Sequence, residues 1–252
     1  MTDRRMPNVA TMSRAETVPV PVAGPDLRGT ARTAGLLYLG FFVAGIAGSL
    51  VVRSQLFAAD DAQATLAHLV QQESLARTGI ALELAIVLTQ ALTAVWLYRL
   101  FRSFDSFAAG LVAVFGMANA VAILGSAALL ATALDVAGHA SLAVARDAAG
   151  TVQLLYVTSG HLWGVAAVFF GLWLIPLGWL VVRSRWLPQV LGWTLLVGGA
   201  GYLVSAFVTY LFPGAGVVAQ LLTIPSVVGE VWLMGYLLVM GLRTTHRAVG
   251  TS

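Results

Sequence analysis

Six long apolar stretches, separated by short polar segments, dominate the pattern of hydrophobic and polar positions along the chain. Each stretch is continuous, lacks the alternation of a barrel strand, and reaches the roughly 20 residues that a helix needs to cross a bilayer. A spanning segment must also satisfy its own backbone hydrogen bonds, which a helix does. The pattern therefore predicts an all-α polytopic bundle with six transmembrane spans, at Thr33–Val52, Gly79–Tyr98, Phe107–Leu134, Tyr156–Val182, Val190–Leu211 and Ala219–Leu242.

The segment between the first two spans carries a weaker helical pattern. Leu66, Leu69 and Val70 recur with the spacing of one apolar helical face, and Asp60 and Asp61 precede them. An aspartate at this position accepts hydrogen bonds from the first free backbone N–H groups of a helix. We therefore expect a short interfacial helix here, capped by one of the two aspartates.

The composition agrees with a membrane protein and leaves little room for other domains. Hydrophobic residues make up 59% of the chain and charged residues only 10%, which is outside the usual range of soluble domains. Residues before about Gly29 contain no apolar run that would suit a signal peptide. The predicted organisation is a disordered cytoplasmic tail at 1–30, a six-helix transmembrane domain at 31–243 and a cytoplasmic tail at 244–252.

The arginines predict the orientation, because cytoplasmic loops keep an excess of positive charge near the span ends. One membrane face carries 11 of them and the other carries 3. The larger group is Arg4, Arg5, Arg14, Arg28, Arg32, Arg99, Arg102, Arg183, Arg185, Arg243 and Arg247, and the smaller is Arg53, Arg77 and Arg146. We expect both termini in the cytoplasm and the protein in a bacterial cytoplasmic (inner) membrane. Membrane lipids are the expected partners, protein partners stay open, and no nucleic-acid surface is predicted.

Four stretches of the chain resemble a known bacterial family. They are ARTAGLLYLGFFVAGI at Ala31–Ile46, the segment from Asp60 to Arg77 that continues into ESLARTGI, LYRLF at Leu97–Phe101, and FFGLWLIPLGWLVVRSRWLPQVLGW at Phe169–Trp193. The similarity covers most of residues 31–243 and points to the uncharacterised multi-pass membrane proteins grouped as domain of unknown function 4386. This resemblance implies a membrane bundle of six to seven helices, and it brings no catalytic residues with it.

A few polar residues lie inside the predicted spans, where each costs on the order of 2 to 4 kcal/mol. Glu83 and Gln90 share one face of the second span, and Glu230 lies near the middle of the sixth, where Pro225 interrupts the helix hydrogen bonds. His161 lies at about the depth of Glu83, so we expect the two to pair. The residues predicted to form an intramembrane polar pocket are Glu83, Gln90, Asn119, His161, Ser226 and Glu230.

The same residues also have a purely structural interpretation, since polar contacts between helices can simply hold a bundle in register. No cofactor or metal is predicted, because the chain has no cysteine and no catalytic or metal-binding spacing. Three functions remain open. They are an accessory or structural protein whose pocket holds a lipid or small amphiphile, a proton-coupled transporter that uses Glu230, and an intramembrane enzyme with a protonated Glu83 or Glu230 as general acid.

Overall fold

The computed structural model describes residues 25–239, and every regular element in that part of the chain is helical. Six of the helices are long and apolar enough to cross a membrane, so the predicted all-α, six-span architecture is confirmed. We label the helices α1 (Pro25–Ile46), α2 (Ala62–Gln71), α3 (Glu73–Phe101), α4 (Ser106–Gly138), α5 (Ala148–Ser184), α6 (Gln189–Leu211) and α7 (Gly216–Val239).

Most spans extend beyond the apolar stretches that predicted them. Helix α5, for example, begins at Ala148 and not near Tyr156, because the polar turn in front of the apolar run remains helical and is capped by Asp147. Helix α1 likewise begins at Pro25, so residues 25–30, which were predicted to belong to the disordered tail, are helical. Proline fits the first turn of a helix, where its missing N–H is not needed. The rest of the predicted tails, with Arg4, Arg5, Arg14, Arg243 and Arg247, lies outside the described residues.

The first span changes its helical type in its second half. After Ile46 the chain continues as a π-helix over Ala47–Arg53 and then as a short helical turn over Ser54–Leu56. We call Ala47–Arg53 the π-segment. A π-helix is rare, and where one interrupts an α-helix it frequently lies at a functional site.

The short helix predicted between the first two spans is present as α2. The Asp61 side chain accepts a hydrogen bond of 2.9 Å from the backbone N–H of Ala64, so the second of the two aspartates is the cap. Leu69 lies on the buried face, and α2 packs against α4 and α5. The helix therefore covers one end of the bundle.

The six long helices form a closed ring in which each packs against the next along the chain, and α7 returns to pack against α1. Helix α5 is the most buried of them. Trp173 of α5 packs against Tyr38 of α1 with 5.7 Å between ring centroids. Large buried side chains close one end of the bundle. The rings of Phe101 and Trp186 stack on each other there.

Glycines allow the closest helix crossings. A Cβ atom placed on Gly178 of α5 would lie 2.7 Å from the carbonyl oxygen of Gly192 in α6. One placed on Gly198 of α6 would lie 2.5 Å from the Cα atom of Ser226 in α7. Membrane helices approach this closely only where small residues meet, because side chains would otherwise hold the backbones apart.

Candidate functional site

A cavity of about 680 Å³ lies between the six long helices and the π-segment. Its wall is mainly apolar and is formed by aliphatic and aromatic side chains such as Phe41, Ile86 and Phe170. One arginine and two glutamates interrupt this wall: Arg53, Glu83 and Glu230. The volume falls within the roughly 300 to 1,000 Å³ that is common for small-molecule sites.

Arg53, the last residue of the π-segment, turns its side chain into the bundle. Its guanidinium donates hydrogen bonds to the backbone carbonyl of Tyr156 at 2.9 Å and to Oγ of Ser159 at 3.3 Å. The guanidinium carbon also lies 5.1 Å from the ring centroid of Phe57 and 5.6 Å from that of Tyr156. These contacts hold a cation against aromatic faces at one end of the cavity.

Glu83 lies on the same end of the cavity but is not in salt-bridge contact with Arg53. Its Oε1 atom accepts a hydrogen bond of 3.1 Å from Nε1 of Trp163. Oε2 is buried and has no hydrogen-bond partner among the described residues. Ser126, which lies close to this carboxyl group, is hydrogen-bonded to Ser159 at 2.8 Å, and Ser159 in turn accepts from Arg53. Two serines thus connect the charged groups of the cavity end.

Glu230 lies deeper in the bundle, at the opposite end of the cavity. Its side chain is 4% exposed, and its Oε1 atom accepts a hydrogen bond of 2.5 Å from the hydroxyl group of Tyr38. Tyr202, which stacks on Phe170, lines the cavity beside it. The cavity therefore runs from the Arg53 and Glu83 end of the bundle to a buried carboxyl group in its interior.

The expected pair between Glu83 and His161 does not form. His161 is exposed on α5, and its ring lies next to that of Tyr210, with 6.2 Å between centroids. Residues two positions apart on a helix point about 200° apart, so the side chain that reaches Glu83 is Trp163. The indole N–H of Trp163 thus makes the contact with Glu83 that was expected of the His161 imidazole.

Gln90 and Asn119 lie in the bundle interior, each 1% exposed, but neither lines the cavity. Ala94 of α3 lies opposite Gly116 of α4, since a Cβ on Gly116 would be 2.8 Å from the Cβ of Ala94. One turn along each antiparallel helix brings Gln90 and Asn119 to neighbouring positions. Neither side-chain amide has a hydrogen-bond partner within the described part of the chain.

Ser226 is also buried, beside the cavity residues Val227 and Glu230. Its hydroxyl group donates to the backbone carbonyl of Thr223 at 2.5 Å, which satisfies it within its own helix. Of the six residues predicted to form a pocket, the structure thus brings two, Glu83 and Glu230, into one cavity.

Several cavity residues could not be recognised from the sequence as members of a site. They include Arg53, Tyr156, Trp163 and Tyr202, and Tyr38 was likewise not recognised as the hydrogen-bond partner of Glu230 behind the cavity wall. Aromatic residues are common in membrane spans, and Arg53 follows an apolar run as a flanking arginine would. The signal that could have identified Arg53 is its register, since a helix continued past Val52 carries the guanidinium back into the bundle.

Among the described residues there is no group of three or more histidine, aspartate or glutamate side chains that could hold a metal ion. What the arrangement offers is a carbon-lined volume with hydrogen-bond donors and acceptors concentrated at its two ends. Such a surface complements a molecule with an apolar body and a polar group.

Comparison with known proteins identifies a family. The family model described as a domain of unknown function (DUF4386) matches residues 33–241. Neither the curated proteins nor the solved structures give a match.

Proposed function

The chain belongs to the DUF4386 family, and we propose that it is an accessory or structural membrane protein that binds a lipid or another small amphiphile between its helices. The observation that carries this proposal is the composition of the cavity wall. Long carbon surfaces separate Glu230 from the end with Arg53 and Glu83. An amphiphile would bury its apolar body against these surfaces and leave its polar group beside the charged side chains.

The charged groups of the cavity provide an energetic reason for ligand binding. An ionisable side chain inside a bilayer is costly and normally pairs or faces a polar cavity. Arg53 and Glu83 face one cavity without direct contact. Oε2 of Glu83 has no hydrogen-bond partner among the described residues. A polar group on a ligand would supply hydrogen bonds that the helices themselves do not supply.

We also propose the bacterial cytoplasmic membrane as the location, with both termini in the cytoplasm. Within the described residues, the ends of the spans that carry Arg28, Arg32, Arg99, Arg102, Arg183 and Arg185 lie on one side of the bundle. The opposite side has Arg53, Arg77 and Arg146. Arg53 is turned into the cavity and Arg77 is paired with Glu73, so that side presents even less free positive charge than its count suggests.

Native mass spectrometry of the purified protein tests the binding proposal. We expect the wild type to retain a lipid or amphiphile through gentle detergent extraction. Ala167→Phe places a ring into the cavity and should reduce this occupancy. Val165→Phe is the matched control, because Val165 is on the same helix, 57% exposed, and does not line the cavity. A wild type that retains nothing, or equal occupancy in both variants, would refute the proposal.

The Tyr38–Glu230 hydrogen bond supports one alternative, a proton-coupled transporter. Glu230 both lines the cavity and contacts a hydroxyl group deeper in the bundle, as a carboxyl group that exchanges a proton during transport would. This alternative requires a substrate flux in vesicles that depends on a proton gradient. The flux should disappear in Glu230→Gln, and its persistence in that variant excludes Glu230 as the coupling group.

A further inference from the structure

We propose that the ligand enters the cavity sideways from the membrane, through a seam between the second half of the first span and α7. The inference rests on the proposed binding function and adds the class of ligand. The occupant is then the acyl or prenyl chain of a membrane lipid, and not an amphiphile taken from water.

The exposure of the cavity-lining residues locates the opening. Nearly all of them are buried or half-buried, but three are exposed: Ile46 and Ser49 of the first span and Val227 of α7. Ile46 is 54% exposed and Val227 is 47% exposed. Because these three side chains belong to the two helices that close the ring, the cavity opens between those helices.

The packing of the first span explains why a seam exists at this place. Near its start the span contacts α7 closely, since a Cβ on Gly35 would lie 3.1 Å from the Cβ of Leu237. Further along, a Cβ on Gly40 would lie 3.0 Å from Cγ2 of Thr89, and the π-segment packs on α3. The second half of the span therefore follows α3 and moves away from α7.

The Tyr38–Glu230 hydrogen bond marks the point where the two helices separate. Beyond it, Pro225 lies inside α7, at the level of the seam. A proline removes a helix hydrogen bond and bends the helix at the preceding turn. The π-segment on one side and the proline on the other give both edges of the seam an irregular backbone.

The side chains around the seam determine which kind of molecule can enter the cavity. It lies within two segments that are apolar enough to span a membrane. The exposed side chains around it are aliphatic: Val43, Leu50, Ile224, Val228 and Val231. In a bilayer such a surface faces hydrocarbon, so a chain already dissolved in the membrane meets the opening without crossing a polar layer. The polar group of that lipid would then lie towards Arg53 and Glu83, at the end of the spans.

A loading experiment tests this route. Protein stripped of lipid by detergent exchange is incorporated into nanodiscs of deuterated phospholipid, and native mass spectrometry follows the appearance of bound deuterated lipid. Ile46→Trp and Val227→Trp each place a large ring at the seam. Leu36→Trp and Val218→Trp are matched controls, because these residues lie on the same helices away from the seam, are 60% and 52% exposed, and do not line the cavity.

We expect both seam variants to load more slowly than the wild type by about tenfold, which corresponds to a barrier higher by about 1.4 kcal/mol. The control variants should load at the wild-type rate. Two seam variants on different helices protect the test against a folding defect in one of them, and the melting temperature of each variant confirms that it is folded.

The outcomes separate this inference from the proposed function. If the wild type loads and the seam variants load equally fast, lateral entry is refuted while lipid binding stands. If the wild type never retains lipid, the proposed function fails and this inference fails with it. If the protein is a dimer that Val227→Trp dissociates without slowing the loading, the seam is an interface between copies of the chain and the inference is overturned.

Discussion

The hydroxyl group of Tyr38 donates a hydrogen bond of 2.5 Å to the carboxyl group of Glu230, which lies 192 positions later in the chain. The contact joins the first and last spans of the ring, and both side chains are almost fully buried. It also closes the cavity at its inner end, since Glu230 lines the cavity and Tyr38 lies behind it. This hydrogen bond therefore lies both at the closure of the ring and at the inner end of the candidate site.

Removing the donor of this bond should destabilise the protein. In Tyr38→Phe the carboxyl group of Glu230 loses its partner while the ring packing is kept, which costs about 1 to 3 kcal/mol. Tyr210→Phe is the control, because Tyr210 is 46% exposed, and its effect should stay below about 0.5 kcal/mol. Denaturant unfolding in detergent measures both values. Equal stability of the two variants would show that the buried bond contributes nothing.

Arg53 should matter more to stability than an arginine on the surface. Arg53→Gln removes charged hydrogen bonds to Tyr156 and Ser159, for an expected loss of about 1 to 3 kcal/mol. Arg77→Gln removes an exposed pair with Glu73, worth about 0.2 to 0.5 kcal/mol. The same unfolding measurement compares them. A loss in Arg77→Gln as large as in Arg53→Gln would contradict the inward orientation of Arg53.

The glycines at the closest helix crossings should not tolerate an added methyl group. In Gly198→Ala the new Cβ meets the backbone of Ser226, which cannot move independently of α7. We expect a destabilisation of about 1 to 3 kcal/mol from overpacking. Gly235→Ala, at a position with no heavy atom within 4 Å of the added Cβ, should be close to neutral. A neutral Gly198→Ala would mean that α6 and α7 do not cross at this distance.

The orientation can be tested directly, because the natural chain has no cysteine. Single cysteines are placed by Ser103→Cys, in the turn between α3 and α4, and by Ala215→Cys, in the turn between α6 and α7. We expect a membrane-impermeant maleimide to label position 215 on intact cells and position 103 only after permeabilisation. The reverse pattern would place both termini outside the cytoplasm.

The six spans could be predicted from the sequence because a span depends only on residues that are neighbours in the chain. A bilayer requires a fixed length of apolar helix, and the requirement is met by consecutive residues. The ends of the helices were less predictable, since polar turns such as the one capped by Asp147 continue a helix beyond its apolar part. The short helix α2 was predicted correctly because its aspartate cap and its apolar face are both local features.

The candidate site was less predictable because its contacts join distant parts of the chain. Depth in the membrane alone suggested that Glu83 would pair with His161. The face of α5 that points towards Glu83 carries Trp163 instead. Arg53 ends a π-helix that follows Ile46, and no local pattern predicts that change of helix type. Tyr38 became a partner of Glu230 only through the closure of the ring.

Photo-crosslinking in membranes tests whether a lipid chain occupies the cavity between the helices. The protein is reconstituted with a phospholipid that carries a diazirine in its acyl chain, and the adducts are mapped by peptide mass spectrometry after illumination. We expect adducts on the cavity residues Phe41, Trp163 and Phe170. Adducts confined to outward-facing residues such as Leu36 and Val231, with none on the cavity wall, would contradict it.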